Sequence, residues 1–406
     1  MSNTQKNNVP ELRFPGFEDE WEEKRFADFT KINQGLQIAI NERKTEYSPE
    51  LYFYITNEFL RPNSQTKYFI ENPPQSVIAN KEDILMTRTG NTGKVVTNVF
   101  GAFHNNFFKI KFDKNLYDRL FLVEVLNSSK IQNKILSLAG SSTIPDLNHS
   151  DFYSISSSYP LLREQQKIGQ FFSKLDRQIE LQEQKLELLQ QQKKGYMQKI
   201  FSQELRFKDE NDEDYPDWKE KKLGDITEQS MYGIGASATR FDSKNIYIRI
   251  TDIDEKSRKL NYQNLTTPDE LNNKYKLKRN DILFARTGAS TGKSYIHKEE
   301  KDIYNYYFAG FLIKFEIDEQ NNPLFIYQFT LTSKYNKWVK VMSVRSGQPG
   351  INSEEYAKLP LVLPNKLEQQ KIAEFLDRFD QQIELEKQKI EILQQQKKGL
   401  LQSMFI

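Results

Sequence analysis

One long segment of this chain is written twice, and that repetition limits the possible folds more than any other feature. LREQQKIGQFFSKLDRQIELQEQKLELLQQQKKGYMQ, beginning at Leu162, aligns with KLEQQKIAEFLDRFDQQIELEKQKIEILQQQKKGLLQ, beginning at Lys366, so that Glu164 falls on Glu368, 204 residues later (368 − 164). The match extends upstream more loosely. WEEKRFADFT from Trp21 resembles WKEKKLGDIT from Trp218, DILMTRTGNTGK from Asp83 resembles DILFARTGASTGK from Asp281, and ELRF recurs at Glu11 and Glu204. A period of this size signals duplicated domains, not a solenoid. The order is domain, helix, domain, helix, with boundaries at 1–158, 159–203, 204–362 and 363–406.

The doubled segments predict long helices with a narrow apolar seam. Seam positions recur at alternating spacings of four and three through Ile168, Phe172, Leu175, Ile179, Gln182, Leu186, Leu189, Lys193, Tyr196 and Ile200. The second copy repeats them without a slip through Ile372, Leu376, Phe379, Ile383, Glu386, Ile390, Leu393, Lys397, Leu400 and Met404. Pro160 and Pro364 precede the two helices, and Asn365 with Glu368 forms a capping pattern that the first copy lacks. Because Gln, Glu and Lys surround the seam, each helix requires a partner helix. The nearest candidate is its own repeat, and separate pairings with other chains are the alternative. A helix over 161–201 spans ~60 Å. The polar seam residues Gln182, Glu386, Lys193 and Lys397 weaken packing but fix register. Gly195 and Gly399 sit at equivalent positions near the helix ends, marking either frayed turns or close approach of another subunit's helix.

Composition narrows the function classes. Without cysteine and with three histidines among 406 residues, disulfides and the usual Cys/His zinc sites are excluded, and a cytoplasmic setting is expected. The first residues, MSNTQKNNVPELRF, contain no apolar run suited to a signal peptide or membrane span. The formal charge is only +2, so any nucleic-acid surface must be local.

The globular halves alternate short aromatic and β-branched runs, such as 51–56, 246–250 and 308–315, with polar turns, which predicts α+β domains. Residues 288–294, GASTGKS, mimic a phosphate-binding loop but have three residues where that motif needs four before Gly-Lys, and the first copy is shorter still. Both copies nevertheless keep an arginine, a Thr-Gly turn and a Gly-Lys. Arg88, Thr89 and Lys94, with Arg286, Thr287 and Lys293, are therefore candidate DNA contacts, since exposed amides and cationic side chains suit phosphates or guanine edges. Asn105 and Asn106 in one half and Tyr306 and Tyr307 in the other are further candidates, because Asn pairs bidentately with adenine and an aromatic ring can meet a thymine methyl. Asn72-Pro73-Pro74-Gln75 lacks the aromatic of an adenine-methyltransferase motif and reads as a loop. Pro216-Asp217 with Glu220 and Lys222 is likewise discarded as a nuclease signature.

The doubled EQQKI…QQQKKG helices and DIL…RTG…GK loops together resemble the specificity subunits of type I restriction-modification systems over essentially the whole chain. The resemblance implies two target-recognition domains and two helices that pair antiparallel within the molecule. Each domain would read one half of a split, asymmetric site in double-stranded DNA, while the helices set the spacer and dock two modification subunits. It also implies that S-adenosylmethionine, ATP and Mg belong to partner subunits, that restriction subunits complete the complex, and that this chain carries no catalytic residues, metal or membrane contact. The rival reading is a single-chain DNA methyltransferase or nuclease with its own recognition domains. A scaffold that does not touch DNA is the other.

Overall fold

A computed structural model describes residues 8–61, 64–140, 143–255, 257–298 and 303–405. Residues 1–7 of the polar N-terminal segment lie outside that set. Two compact units emerge: Met1–Gln184 with Lys387–Ile406, and Lys185–Glu386. The long helices contribute to both cores, and the expected boundaries at 158 and 362 fall inside the strands Ser156–Tyr159 and Pro360–Leu363.

In the first unit, an antiparallel sheet has the spatial order Thr30–Gln34, Phe107–Phe112, Ile84–Thr87, Val95–Val96. A second sheet joins Tyr68–Glu71, Leu51–Ile55, Gly101–Phe103 and Ile78–Ala79, with one parallel pairing between its two middle strands. The second unit repeats the first sheet as Thr227–Tyr232, Leu312–Ile317, Ile282–Ala285 and Ser294–Ile296, and repeats the parallel pairing as Asn245–Ile248 with Asn305–Phe308. The predicted run over 308–315 is broken by a turn at 309–311, between Asn305–Phe308 and Leu312–Ile317.

Downstream of the sheets the two copies hold a constant register. Asp118, Ser128 and Asn148 cap the helices Arg119–Asn127, Ser129–Ala139 and His149–Ser154, each side chain accepting an early amide. Asn322, Thr332 and Asn352 do the same for Pro323–Phe329, Ser333–Met342 and Ser353–Ala357, each 204 residues later. The residue types change within the set whose short oxygen can bond an orphan amide, so the cap survives the substitution.

Each unit is closed by the start of one long helix and the end of the other. Ile168 and Phe172 of Leu162–Phe201 enter the first core with Met404, while Ile372 and Leu376 of Lys366–Met404 enter the second with Met197 and Ile200. The helices pair with each other and run antiparallel. Lys193 Nζ meets Asp380 Oδ1 at 2.6 Å in one unit, and Lys397 Nζ meets Asp176 Oδ1 at 2.6 Å in the other, the same contact made twice. Lys185 Nζ bonds the buried Glu386 at 2.8 Å. The polar seam positions Lys193, Lys397 and Glu386 thus fix register by ion pairing across the seam. Of the apolar seam, Ile168, Phe172, Ile372, Leu376 and Ile390 are buried, whereas Leu175, Ile179, Leu186, Leu189, Phe379, Ile383 and Leu393 are half-buried, since two helices alone cannot enclose a stripe. Both helices continue unbroken through Gly195 and Gly399, so neither end frays there, and a Cβ at either would meet nothing within 4 Å.

The EQQKI motif is the clasp that holds each helix to its domain. Buried Glu164 accepts two bonds from Arg13 of the first ELRF, both 2.7 Å, and Glu368 accepts from Arg206 of the second at 3.2 and 2.8 Å. Gln165 accepts from the Asp118 amide at 3.0 Å, and Gln369 from the Asn322 amide at 2.8 Å, tying each helix start to a cap residue. The ELRF segments also clip onto helix ends, with Leu12 N to Ser403 O and Leu205 N to Lys199 O at 2.9 and 3.1 Å. Phe14 packs on Phe171 and Phe207 on Phe375.

Candidate nucleic-acid interface

The RTG loops grow from the inner strands Ile84–Thr87 and Ile282–Ala285, and their backbones are stitched to fixed neighbours. Arg88 N donates to Asn106 O at 2.7 Å and its carbonyl accepts from Leu147 N at 2.8 Å; Arg286 N donates to Phe311 O at 3.0 Å and its carbonyl accepts from Ile351 N at 2.9 Å. Thr89 bridges Asp146 and Thr287 bridges Gly350. The glycine before each lysine needs its freedom, since Gly93 (φ +88°) and Gly292 (φ +86°) turn tightly against the following helices. A Cβ on Gly292 would stand 2.3 Å from Val339. The aspartate of each DIL motif caps its own turn and faces a buried lysine. Asp281 Oδ2 lies 3.4 Å from Lys314 Nζ, and Asp83 Oδ2 lies 3.8 Å from Lys109 Nζ. Burial raises the Asp281 carboxyl and lowers the Lys109 ammonium; the Asp281–Lys314 pair lies wholly inside the sheet, while Asp83 stays partly open to solvent.

The candidate side chains fall into two groups. Lys94 is exposed. Its counterpart Lys293 is buried, with Nζ turned inward to 3.5 Å from Ile253 O, so in this conformation it offers no charge to a phosphate. Tyr306 and Tyr307 are also buried, at 4% and 3% exposure, on the strand that pairs with Asn245–Ile248. Pairing of Tyr307 with Tyr247 mirrors that of Ala102 with Tyr54, which makes Tyr306 and Tyr307 equivalent to Gly101 and Ala102. The true counterparts of Asn105 and Asn106 are therefore Gly310 and Phe311. Insertions shift the register ahead of Asp118, so Tyr306 and Tyr307 are not the counterparts of Asn105 and Asn106. The Arg88–Asn106 backbone bond of the first copy recurs as Arg286–Phe311 in the second.

The chemistry around the two arginines differs. Arg88 reaches Asp146 at 2.5 Å and sits over the Phe108 ring at 5.7 Å. Gly350 replaces that aspartate in the second copy, and the Arg286 guanidinium lies instead over the Tyr232 ring at 4.9 Å. Beside Arg88 the surface is rich in amides. Gln34 Nε2 donates to Asn105 O at 3.1 Å, and Asn105 Nδ2 donates to Gln37 at 3.1 Å. The hairpin turn also holds His104, whose burial, aided by the charge of Arg43, lowers its imidazole pKa to about 4. Among the described residues, no three His, Asp or Glu side chains converge as a metal site, and no helix is long and apolar enough to cross a membrane. The NPPQ segment is a loop leading into the short turn Gln75–Val77, and Glu220 and Lys222 lie on the strand Lys219–Lys222 that Asp217 precedes.

Comparison with known proteins agrees with this doubled architecture. The model of the type I restriction modification DNA specificity domain matches twice, over residues 18–191 and 215–395. The type I restriction enzyme MjaVIII specificity subunit of Methanocaldococcus jannaschii is 26% identical, with 96% of this chain and 92% of that protein aligned. The HindI specificity subunit of Haemophilus influenzae is 28% identical over 47% of this chain and 41% of its own length. Among solved structures, the S subunit of a type I restriction-modification system from M. genitalium superimposes with a TM-score of 0.67 at 17% identity, covering 98% of this chain and 99% of that one. The helix pairing, the twice-built arginine loops and the two family matches converge, and the chain belongs to the type I restriction modification DNA specificity domain family, which it contains in two copies.

Proposed function

We propose that the chain is the DNA specificity subunit of a type I restriction-modification complex, with each copy reading one half of a bipartite, asymmetric site in double-stranded DNA. The observation that carries this reading is the contrast between the two copies. The glutamine that ties each helix start to a cap residue recurs 204 residues later on the equivalent partner, while the surface beside the arginine loop changes from amide-rich to aromatic. Similar frames with dissimilar surfaces suit a non-palindromic target. The near-neutral charge of +2 fits a subunit that holds DNA firmly only when partners complete the clamp.

In this reading the paired helices set the spacer and receive two modification subunits. Leu181 and Leu188, with their equivalents Leu385 and Ile392, are exposed apolar residues off the seam, and exposed apolar surface on a helix is suited to a partner helix. The chain itself is non-catalytic and cytoplasmic. S-adenosylmethionine sits on the modification subunits, and ATP and Mg serve the restriction subunits.

Mapping methylated adenines after assembly with cognate modification subunits tests the proposal, and a split motif is expected. Removing residues 184–190 together with the opposing heptad 383–389 shortens the paired helices by ~10 Å, and the spacer should contract by about three base pairs at 3.4 Å each. Methylation by the chain alone would favour the single-chain enzyme. An assembled complex without sequence preference would favour a scaffold.

A further inference from the structure

The hairpin turn at 309–311 exposes a phenylalanine where the fold has no structural use for one. Its backbone is held on every side: Gly310 N donates to Ile234 O at 2.8 Å, Leu312 N to Ala309 O at 2.8 Å, and Arg286 N to Phe311 O at 3.0 Å. Phe311 itself is 60% exposed, whereas the flanking Ala309 and Leu312 are buried. Next to it the Arg286 guanidinium rests on Tyr232, whose hydroxyl accepts from Ser353 N at 3.1 Å, and no acidic side chain pairs with Arg286 among the described residues. The first copy places Asn106 at the same point, beside an arginine already paired with Asp146.

We infer that Phe311 is a specificity-determining residue of the second domain and that it reads a thymine 5-methyl group, beside a base or phosphate engaged by Arg286. This rests on the DNA-reading function proposed above. An exposed ring on a hydrogen-bonded turn gains free energy by covering apolar surface, and the apolar group that a base edge presents in the major groove is the thymine methyl. The pinned backbone keeps the ordering cost low. The equivalent amide of Asn106 would favour adenine instead, so the two half-sites would differ at matched positions.

The test uses the complete complex of this chain with its modification subunits, and duplexes in which each thymine of the second half-site is replaced in turn by deoxyuridine. For the wild-type chain, one replacement should weaken binding about fourfold, the equivalent of one buried methyl at ~0.8 kcal/mol. Phe311→Ala should weaken binding to the second half-site about fivefold, the low end for one mismatched base pair. It should also abolish the response to that deoxyuridine, and Phe311→Leu should keep part of it. An insensitive wild-type chain overturns the inference while leaving the bipartite function intact. Loss of subunit assembly in Phe311→Leu, with no uracil-sensitive position, would also overturn it and assign the ring to a protein contact. A wild-type complex without any bipartite preference would instead sink the underlying function.

Discussion

Removing Arg13 should unfold the first unit much more readily, and the size of the effect follows from what would be left behind. The Glu164 side chain is 2% exposed and Arg13 13%, and both carboxylate oxygens are satisfied by the one guanidinium at 2.7 Å. Trp21, the counterpart of Trp218, leaves its indole nitrogen without a partner and does not reach Glu164. Arg13→Ala therefore strands a desolvated carboxylate, a change that costs about 3–5 kcal/mol. In the second unit Trp218 Nε1 donates to Glu368 at 3.2 Å, so one donor survives Arg206→Ala, but that change also removes bonds to Tyr215 O and Pro216 O at 3.0 and 2.8 Å, and the loss there should be of similar size. Urea unfolding followed by tryptophan fluorescence separates the two cases. Trp21 is the tryptophan of the first unit, and Trp218→Phe with Trp338→Phe isolates it; Trp21→Phe isolates the others. The double variant Arg13→Met with Glu164→Leu should recover most of the stability, because an apolar pair of similar volume carries no desolvation penalty. A loss below about 1 kcal/mol for Arg13→Ala would place the contact among ordinary surface ion pairs and refute the account of the clasp.

Asp146→Gly should free Arg88, while Gly350→Asp should tie Arg286 down at little cost to the fold, since a Cβ there meets Arg286 O no closer than 3.4 Å. Gly350→Asp is expected to weaken second half-site binding by up to about fivefold, measured on duplexes mutated in one half at a time. His104 should make the first unit acid-sensitive. The unfolded chain takes up a proton near pH 6.5 but the folded site only near 4, so stability is complete above 6.5 and drains as pH falls between these values. After allowance for partial exposure the loss is about 1 kcal/mol by pH 5, and His104→Gln should remove that part of the pH dependence of unfolding. Gly195→Ala and Gly399→Ala should each stabilise the isolated chain by about 1 kcal/mol, because the space over both is open. If the same changes block binding of the modification subunits, a partner helix approaches there.

The sequence by itself determined the repeat, the helix seam and its register, because heptad spacing is a local rule that any two matched stripes must obey. It also fixed the second helix cap, where the Asn365 side chain accepts from Glu368 N at 2.9 Å. It marked the arginine loops as special, since their backbones need a glycine turn and a charge at the same point. What it could not supply was the partner of each motif residue. Glu164 finds Arg13, and Gln165 finds the Asp118 amide, across separations that only the closed core brings together. The same holds for the candidate contacts. Tyr306, Tyr307 and Lys293 look polar or aromatic enough to face DNA but lie inside, while Phe311 lies outside. Tyr306 and Tyr307 alternate on one strand whose two faces are both covered, Lys293 and Phe311 sit at turns, and insertions ahead of Asp118 erase the count that would otherwise align the copies, so burial of those positions was decided by tertiary packing.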